Sequence, residues 1–135
     1  MIQGLDHIAI AVSNIPSSVD FYHRLLGFRI VDSRDMEAYP YFWLNFGVAQ
    51  NLTLSLNPKI TPKSLGLSFD YPRVPHMAFC ASELEISHLR QKLQQEGVEV
   101  HGDDTEIYFT DPDGNGIEVT CWREMGLKNA GKPHW

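Results

Sequence analysis

A short β-rich run with a histidine near its start, then a helix, then three more strands, occurs twice along the 135 residues, so the chain reads as one unit repeated. In the first copy, Leu5-Asp6-His7-Ile8-Ala9-Ile10-Ala11-Val12 has strand composition, and Ser13-Asn14-Ile15-Pro16-Ser17 supplies an N-cap and a proline for a first helical turn. Val19, Phe21, Tyr22, Leu25 and Leu26 fall mostly at helical spacing, and Gly27 is a natural stop. Residues 28–31, 39–46 and 51–56 follow as strands. In the second copy, residues 74–80 form the opening strand, and Ser82 and Glu85 have capping-box spacing. Leu84, Ile86, Leu89 and Leu93 carry the helix's apolar face, and Gly97 ends it. Strands at 98–100, 107–110 and 117–122 complete the copy, the last entered through the turn Asp111-Pro112-Asp113-Gly114-Asn115-Gly116. The two opening histidines, His7 and His76, are 69 residues apart.

This order predicts an α+β fold: two tandem βαβββ modules packing mixed sheets into a cleft or partial barrel. The whole of 1–135 is expected to be one domain, with module one at about 4–57, a connecting loop at about 58–73, module two at about 74–122 and a tail at 123–135. Neither copy has enough apolar surface to stand alone, so the two pack together or exchange with a second chain. Trp122 and Trp135 are placed to anchor the tail or to pack across an interface.

Composition removes several function classes. A net charge of −6 with no basic run argues against nucleic acid and against an anionic membrane surface. No apolar run approaches the ~20 residues of a membrane span. The N-terminus lacks a basic n-region and an apolar h-region, which makes the cytoplasm the expected location. Cys80 and Cys121 are too few for a disulfide framework and are expected to be unpaired small hydrophobes.

Strand parity then points to chemistry, because residues i and i+2 share a face. His7, Ala9 and Ala11 share one face of the first strand; His76, Ala78 and Cys80 share one face of its repeat. In both copies the bulky apolar residues lie opposite, leaving room beside the histidine. Glu118 shares a face with Thr120, and a carboxylate on an otherwise apolar strand is costly unless paired or bound to a cation. His7, His76 and Glu118 would together make a two-histidine, one-carboxylate set with open positions, suited to one divalent ion such as Fe(II), Mn(II), Zn(II) or Ni(II). A single strand histidine is more often a satisfied structural residue, and Glu118 alone would pair equally well with a Lys or Arg. Occupancy of equivalent positions in two copies is what raises the joint case. His101 is a weak acid–base candidate, and His23, His88 and His134 are assigned nothing.

The runs Leu5 to Val12, Asp20-Phe21-Tyr22-His23-Arg24-Leu25-Leu26-Gly27-Phe28, Pro75-His76-Met77-Ala78-Phe79 and Phe109 to Glu118 resemble the vicinal oxygen chelate superfamily. That superfamily includes glyoxalase I, fosfomycin-resistance transferases, extradiol dioxygenases, methylmalonyl-CoA epimerases and metal-free bleomycin-binding proteins. The resemblance spans residues 5–122 and implies metal ligands at His7, His76 and Glu118, Fe(II) or Mn(II) as the favoured ion with Zn(II) or Ni(II) possible, and a homodimer. Thr53 stands where glyoxalase I and the epimerases carry a fourth, carboxylate ligand. The resemblance therefore implies a three-ligand site, as in the fosfomycin-resistance enzymes and extradiol dioxygenases, with Tyr108 at a tyrosine position shared by both groups, a candidate to hydrogen-bond an oxygen at the site or else a tyrosine packed in a half-buried sheet. Leu54-Ser55-Leu56-Asn57-Pro58 and Tyr108-Phe109 look like the fosfomycin-resistance group, whereas Ala9 replaces that group's threonine. The expectation is a metal-dependent enzyme acting on a small oxygen-chelating substrate, dioxygenase-like chemistry being favoured. The alternatives are a fosfomycin-resistance-like thiol transferase and a non-enzymatic bleomycin-type protein trapping a flat ligand against Tyr39, Tyr41, Phe42 and Trp43.

Overall fold

The computed structural model describes residues 1, 6–31, 41–46, 50–61 and 75–121. The expected connecting loop beyond residue 61, Tyr39, and the tail with Trp122 and Trp135 lie outside the described residues. The chain divides into two compact units: Met1–Lys63 with Asp111–Gly114, and Ser64–Thr110 with Asn115–Trp135.

In the first unit, β1 (His7–Val12) leads into α1 (Ile15–Val19), followed by β2 (Arg29–Ile30), β3 (Tyr41–Phe46) and β4 (Gln50–Leu56). The sheet order is β1-β4-β3-β2, with β1 parallel to β4 and the remaining pairs antiparallel. The second unit repeats this as β5 (His76–Cys80), α2 (Glu83–Gln95), β6 (His101–Gly102), β7 (Glu106–Thr110) and β8 (Gly116–Thr120), in the order β5-β8-β7-β6. The result is the α+β arrangement of two βαβββ modules, each with a mixed four-stranded sheet. Each parallel pair joins the first and last strand of its module, because the helix carries the chain back across one face of the sheet.

Asn14 caps α1, its side-chain oxygen accepting the Ser17 N–H at 2.9 Å, and Pro16 occupies the first turn. The helix then widens into a π-helical stretch, Asp20–Leu25, that ends at Gly27 with φ +76°. Phe21, Tyr22 and Leu25 are buried there, and Val12, Leu44, Leu52 and Leu54 are fully buried in the same unit. In the second unit Ile107, Phe109 and Ile117 are fully buried, as are Ile86 and Leu93 of α2.

Two sequence expectations fail locally. Leu84 is 67% exposed, because it lies about 200° around the helix from the buried Ile86. The strand expected to start at Val98 starts only at His101: Gly97 leaves the helix at φ +76°, and the Val98 N–H closes back onto the Leu93 carbonyl at 3.0 Å.

The capping box of α2 is complete, with the Glu85 N–H donating to Ser82 Oγ and the Ser82 N–H donating to the Glu85 carboxylate at 2.8 Å. These bonds hold the Glu85 carboxyl below its ordinary range. Ser82→Ala is expected to cost about 1 kcal/mol, read as a fall of about 3–5 °C in thermal midpoint.

Candidate metal and ligand site

In the second unit the parallel pairing sets Ala78 opposite Glu118 and His76 opposite Gly116, so His76 and Glu118 are diagonal neighbours on one face. Both side chains are largely buried, 20% and 16% exposed, and His76 Nε2 lies 3.0 Å from Glu118 Oε2. With metal–nitrogen and metal–oxygen bonds of about 2.0–2.2 Å, adjacent ligands of one ion stand about 3 Å apart. The pair therefore has both the chemistry and the spacing of two neighbouring ligands.

Tyr108 is directly opposite Glu118, and His101 directly opposite Tyr108. Burial, then a hydrogen bond to Glu106, then the charges of Glu118, Glu106 and Asp103 raise the Tyr108 phenol far above its ordinary value. It stays protonated at neutral pH and acts as a hydrogen-bond donor. Glu106 was not singled out in the sequence, although its parity with Tyr108 and Glu118 was readable. His101 pairs with the exposed Glu99 at 3.1 Å, a surface contact.

In the first unit, register gathers His7, Ala9 and Ala11 of β1 with Asn51, Thr53 and Ser55 of β4 and with Trp43 and Asn45 of β3 on one face. His7 is 43% exposed, and its Nδ1 lies 2.7 Å from the carboxylate of Asp6. A carboxylate on one ring nitrogen fixes the ring and leaves the other nitrogen for a ligand or metal. Asp6 was also missed from the sequence, adjacency to His7 being its only signal. The Trp43 ring lies against the His7 ring, centroids 5.5 Å apart. Thr53 is buried, and the β1–β4 register puts it on the His7 face.

The structure thus brings His76 and Glu118 together within the second unit, with Tyr108 beside them, and places His7 on the corresponding face of the first unit. Among the described residues, no three His, Cys, Asp or Glu side chains gather into a ready-made metal cluster. Cys80 is exposed and Cys121 buried, and neither is in a disulfide. Among the described residues no helix is long and apolar enough to cross a membrane.

Residues 4–119 match the model of the Glyoxalase/Bleomycin resistance protein/Dioxygenase superfamily, and the chain belongs to that family. Its relatives include the metallothiol transferase FosB of Staphylococcus saprophyticus, 31% identical over 99% of this chain and 89% of FosB. The glutathione transferase FosA of Serratia marcescens is 30% identical over 88% of this chain and 81% of FosA. Among solved structures, a mutant of the fosfomycin resistance protein FosX from Listeria monocytogenes, complexed with Mn(II) and 1S,2S-dihydroxypropylphosphonic acid, superposes with a TM-score of 0.68. It is 18% identical, over 90% of this chain and 91% of FosX.

Proposed function

We propose that this chain is a divalent-metal-dependent transferase that adds a thiol to a small, oxygen-chelating electrophile of the fosfomycin type. The observation that carries this reading is the His76–Glu118 pair, 3.0 Å apart on a largely buried sheet face. His7 is the third ligand in this proposal, from the same chain or from a second copy in a homodimer. The dioxygenase preference drawn from an open three-ligand set gives way, because transferases 30–31% identical cover most of the chain. Mn(II), named with FosX, is favoured over Fe(II).

When bound, the ion supplies Lewis-acid stabilisation of negative charge developing on a substrate oxygen. The chain's own residues orient and exclude. Asp6 holds His7 by Nδ1, and Tyr108, kept protonated, turns its one O–H from Glu106 to a substrate oxygen when substrate is bound. In the reaction the thiolate sulfur forms a bond to an epoxide carbon, that carbon's bond to the ring oxygen breaks, and the ring oxygen takes a proton to become a hydroxyl. A reducing cytoplasm, where glutathione is kept as the thiol, suits this chemistry.

The test is consumption of glutathione by the Mn(II)-loaded protein in the presence of fosfomycin, followed by thiol titration and mass detection of the adduct. Adduct formation is expected, with Tyr108→Phe lowering the rate about 10–100-fold. Mn(II) uptake with no adduct from any epoxide or thiol offered would remove the transferase reading.

A further inference from the structure

The polar face of the first sheet carries two buried hydrogen-bonding atoms that find no partner among the described residues. The strand order β1-β4-β3 separates His7 from Trp43 by an intervening strand. Strands two apart are about 9–10 Å from each other. Yet the two rings approach to 5.5 Å, so both side chains lean inward over β4. Thr53, the direct register partner of both Ala9 and Trp43, lies on that strand and is only 7% exposed. Thr53 Oγ1 and Trp43 Nε1 are both buried and find no hydrogen-bond partner among the described residues. Ala9, the register partner of Thr53, is exposed, so solvent reaches the sheet face beside them.

Two orphaned polar atoms at paired positions are costly, and native sites retain such groups where a ligand satisfies them. An indole N–H only donates, and a threonine hydroxyl donates or accepts, so together they call for an acceptor. The same face carries a polarised ladder: Arg29 donates to Asn45 Oδ1, and Asn45 Nδ2 donates to Asn51 Oδ1 at 3.2 Å, beside His7. A guanidinium at the head of that ladder favours an acceptor that carries negative charge.

We propose that Trp43 and Thr53 recognise the ligand: the indole Nε1–H and the Thr53 hydroxyl bind an anionic oxygen, phosphonate or carboxylate, held beside His7. This rests on the reading of His7 as part of the ligand-binding site. It adds specificity determinants on β3 and β4 that the metal set does not include.

Trp43→Phe keeps an aromatic ring against His7 and removes only the N–H; Thr53→Val keeps the shape and removes only the hydroxyl. Calorimetric titration of fosfomycin, and separately of acetate, into the Mn(II)-loaded protein measures recognition. Each variant is expected to bind the preferred anion about 10-fold or more weakly, while Mn(II) affinity shifts less than about 2-fold. Without metal or ligand, Thr53→Val is expected to unfold a few degrees higher, because an orphaned buried hydroxyl is gone. Fosfomycin bound better than acetate identifies a phosphonate, and the reverse a carboxylate. The proposal is overturned if both variants bind these anions as wild type does, if neither anion binds the wild-type protein, or if Thr53→Val lowers apo stability. It is also overturned if Mn(II) affinity falls as far as anion affinity. Failure of the metal reading shows separately, as Mn(II) affinity unchanged by His76→Ala.

Discussion

Replacing His76 with alanine is expected to lower Mn(II) affinity by more than about 100-fold, since loss of even an outer-shell partner of a metal ligand costs 10–100-fold. The wild-type protein, at Mn(II) about 100 times its Kd, should gain about 2.7 kcal/mol of stability; the variant at the same concentration should gain almost none. A second effect appears without metal. His76 and Glu118 are 20% and 16% exposed, and removing the imidazole leaves the Glu118 carboxylate short of its partner 3.0 Å away. That is expected to cost about 1–3 kcal/mol. Glu118→Gln, which keeps the shape and loses the charge, should lose the metal response while disturbing the apo fold less. Chemical denaturation of the three proteins with and without Mn(II) checks both parts. Equal metal stabilisation in all three would show that the pair is structural only.

The largest effect on the fold is expected at Asp111. Its carboxylate accepts the Tyr22 hydroxyl at 2.9 Å and the Asp113 N–H at 2.9 Å, both buried. Tyr22 is fully buried on the π-helical stretch, and Asp111 is 4% exposed. Asp111→Ala leaves a buried phenol hydroxyl and a buried amide without that acceptor, a cost of about 3–4 kcal/mol and a midpoint lowered by about 10–15 °C. The same pair sets an alkaline limit. Burial, then the Asp111 charge and hydrogen bond, push the Tyr22 phenol well above its ordinary value. A raised folded-state value means that the unfolded chain loses its proton first. The associated stability is therefore fully present below about pH 10 and is lost as pH rises further. Denaturation midpoints at pH 8 and pH 11 should fall more steeply for wild type than for Tyr22→Phe. Tyr108, also raised, keeps a residual slope in that variant.

The module order was legible because its signals are local: alternation in the strands, a cap at Asn14, a capping box at Ser82 and Glu85, and glycine stops at Gly27 and Gly97. Parity groups Asn51, Thr53 and Ser55 on the polar face of their own strand, and the β1–β4 register is what puts that face beside His7. The misreadings come where one local rule competes with another. Leu84 has an apolar side chain at the wrong angle, and Val98 has strand propensity but its N–H is taken by the helix end. What the sequence could not show is long-range. Asp111 and Asp113 read as a turn that aims Glu118. Their carboxylates also hold Tyr22 and the Ser13 N–H, 89 and 100 residues earlier in the chain. The lean of Trp43 toward His7 likewise depends on strand order, which propensity does not encode.

The central claim is a divalent ion held by His7, His76 and Glu118, and the most direct measurement counts the imidazoles on that ion. Electron spin-echo modulation of one equivalent of bound Mn(II) is expected to show two coordinated histidine nitrogens, falling to one in His7→Ala and one in His76→Ala. A spectrum with no histidine nitrogen, or one unchanged by both substitutions, would contradict the account.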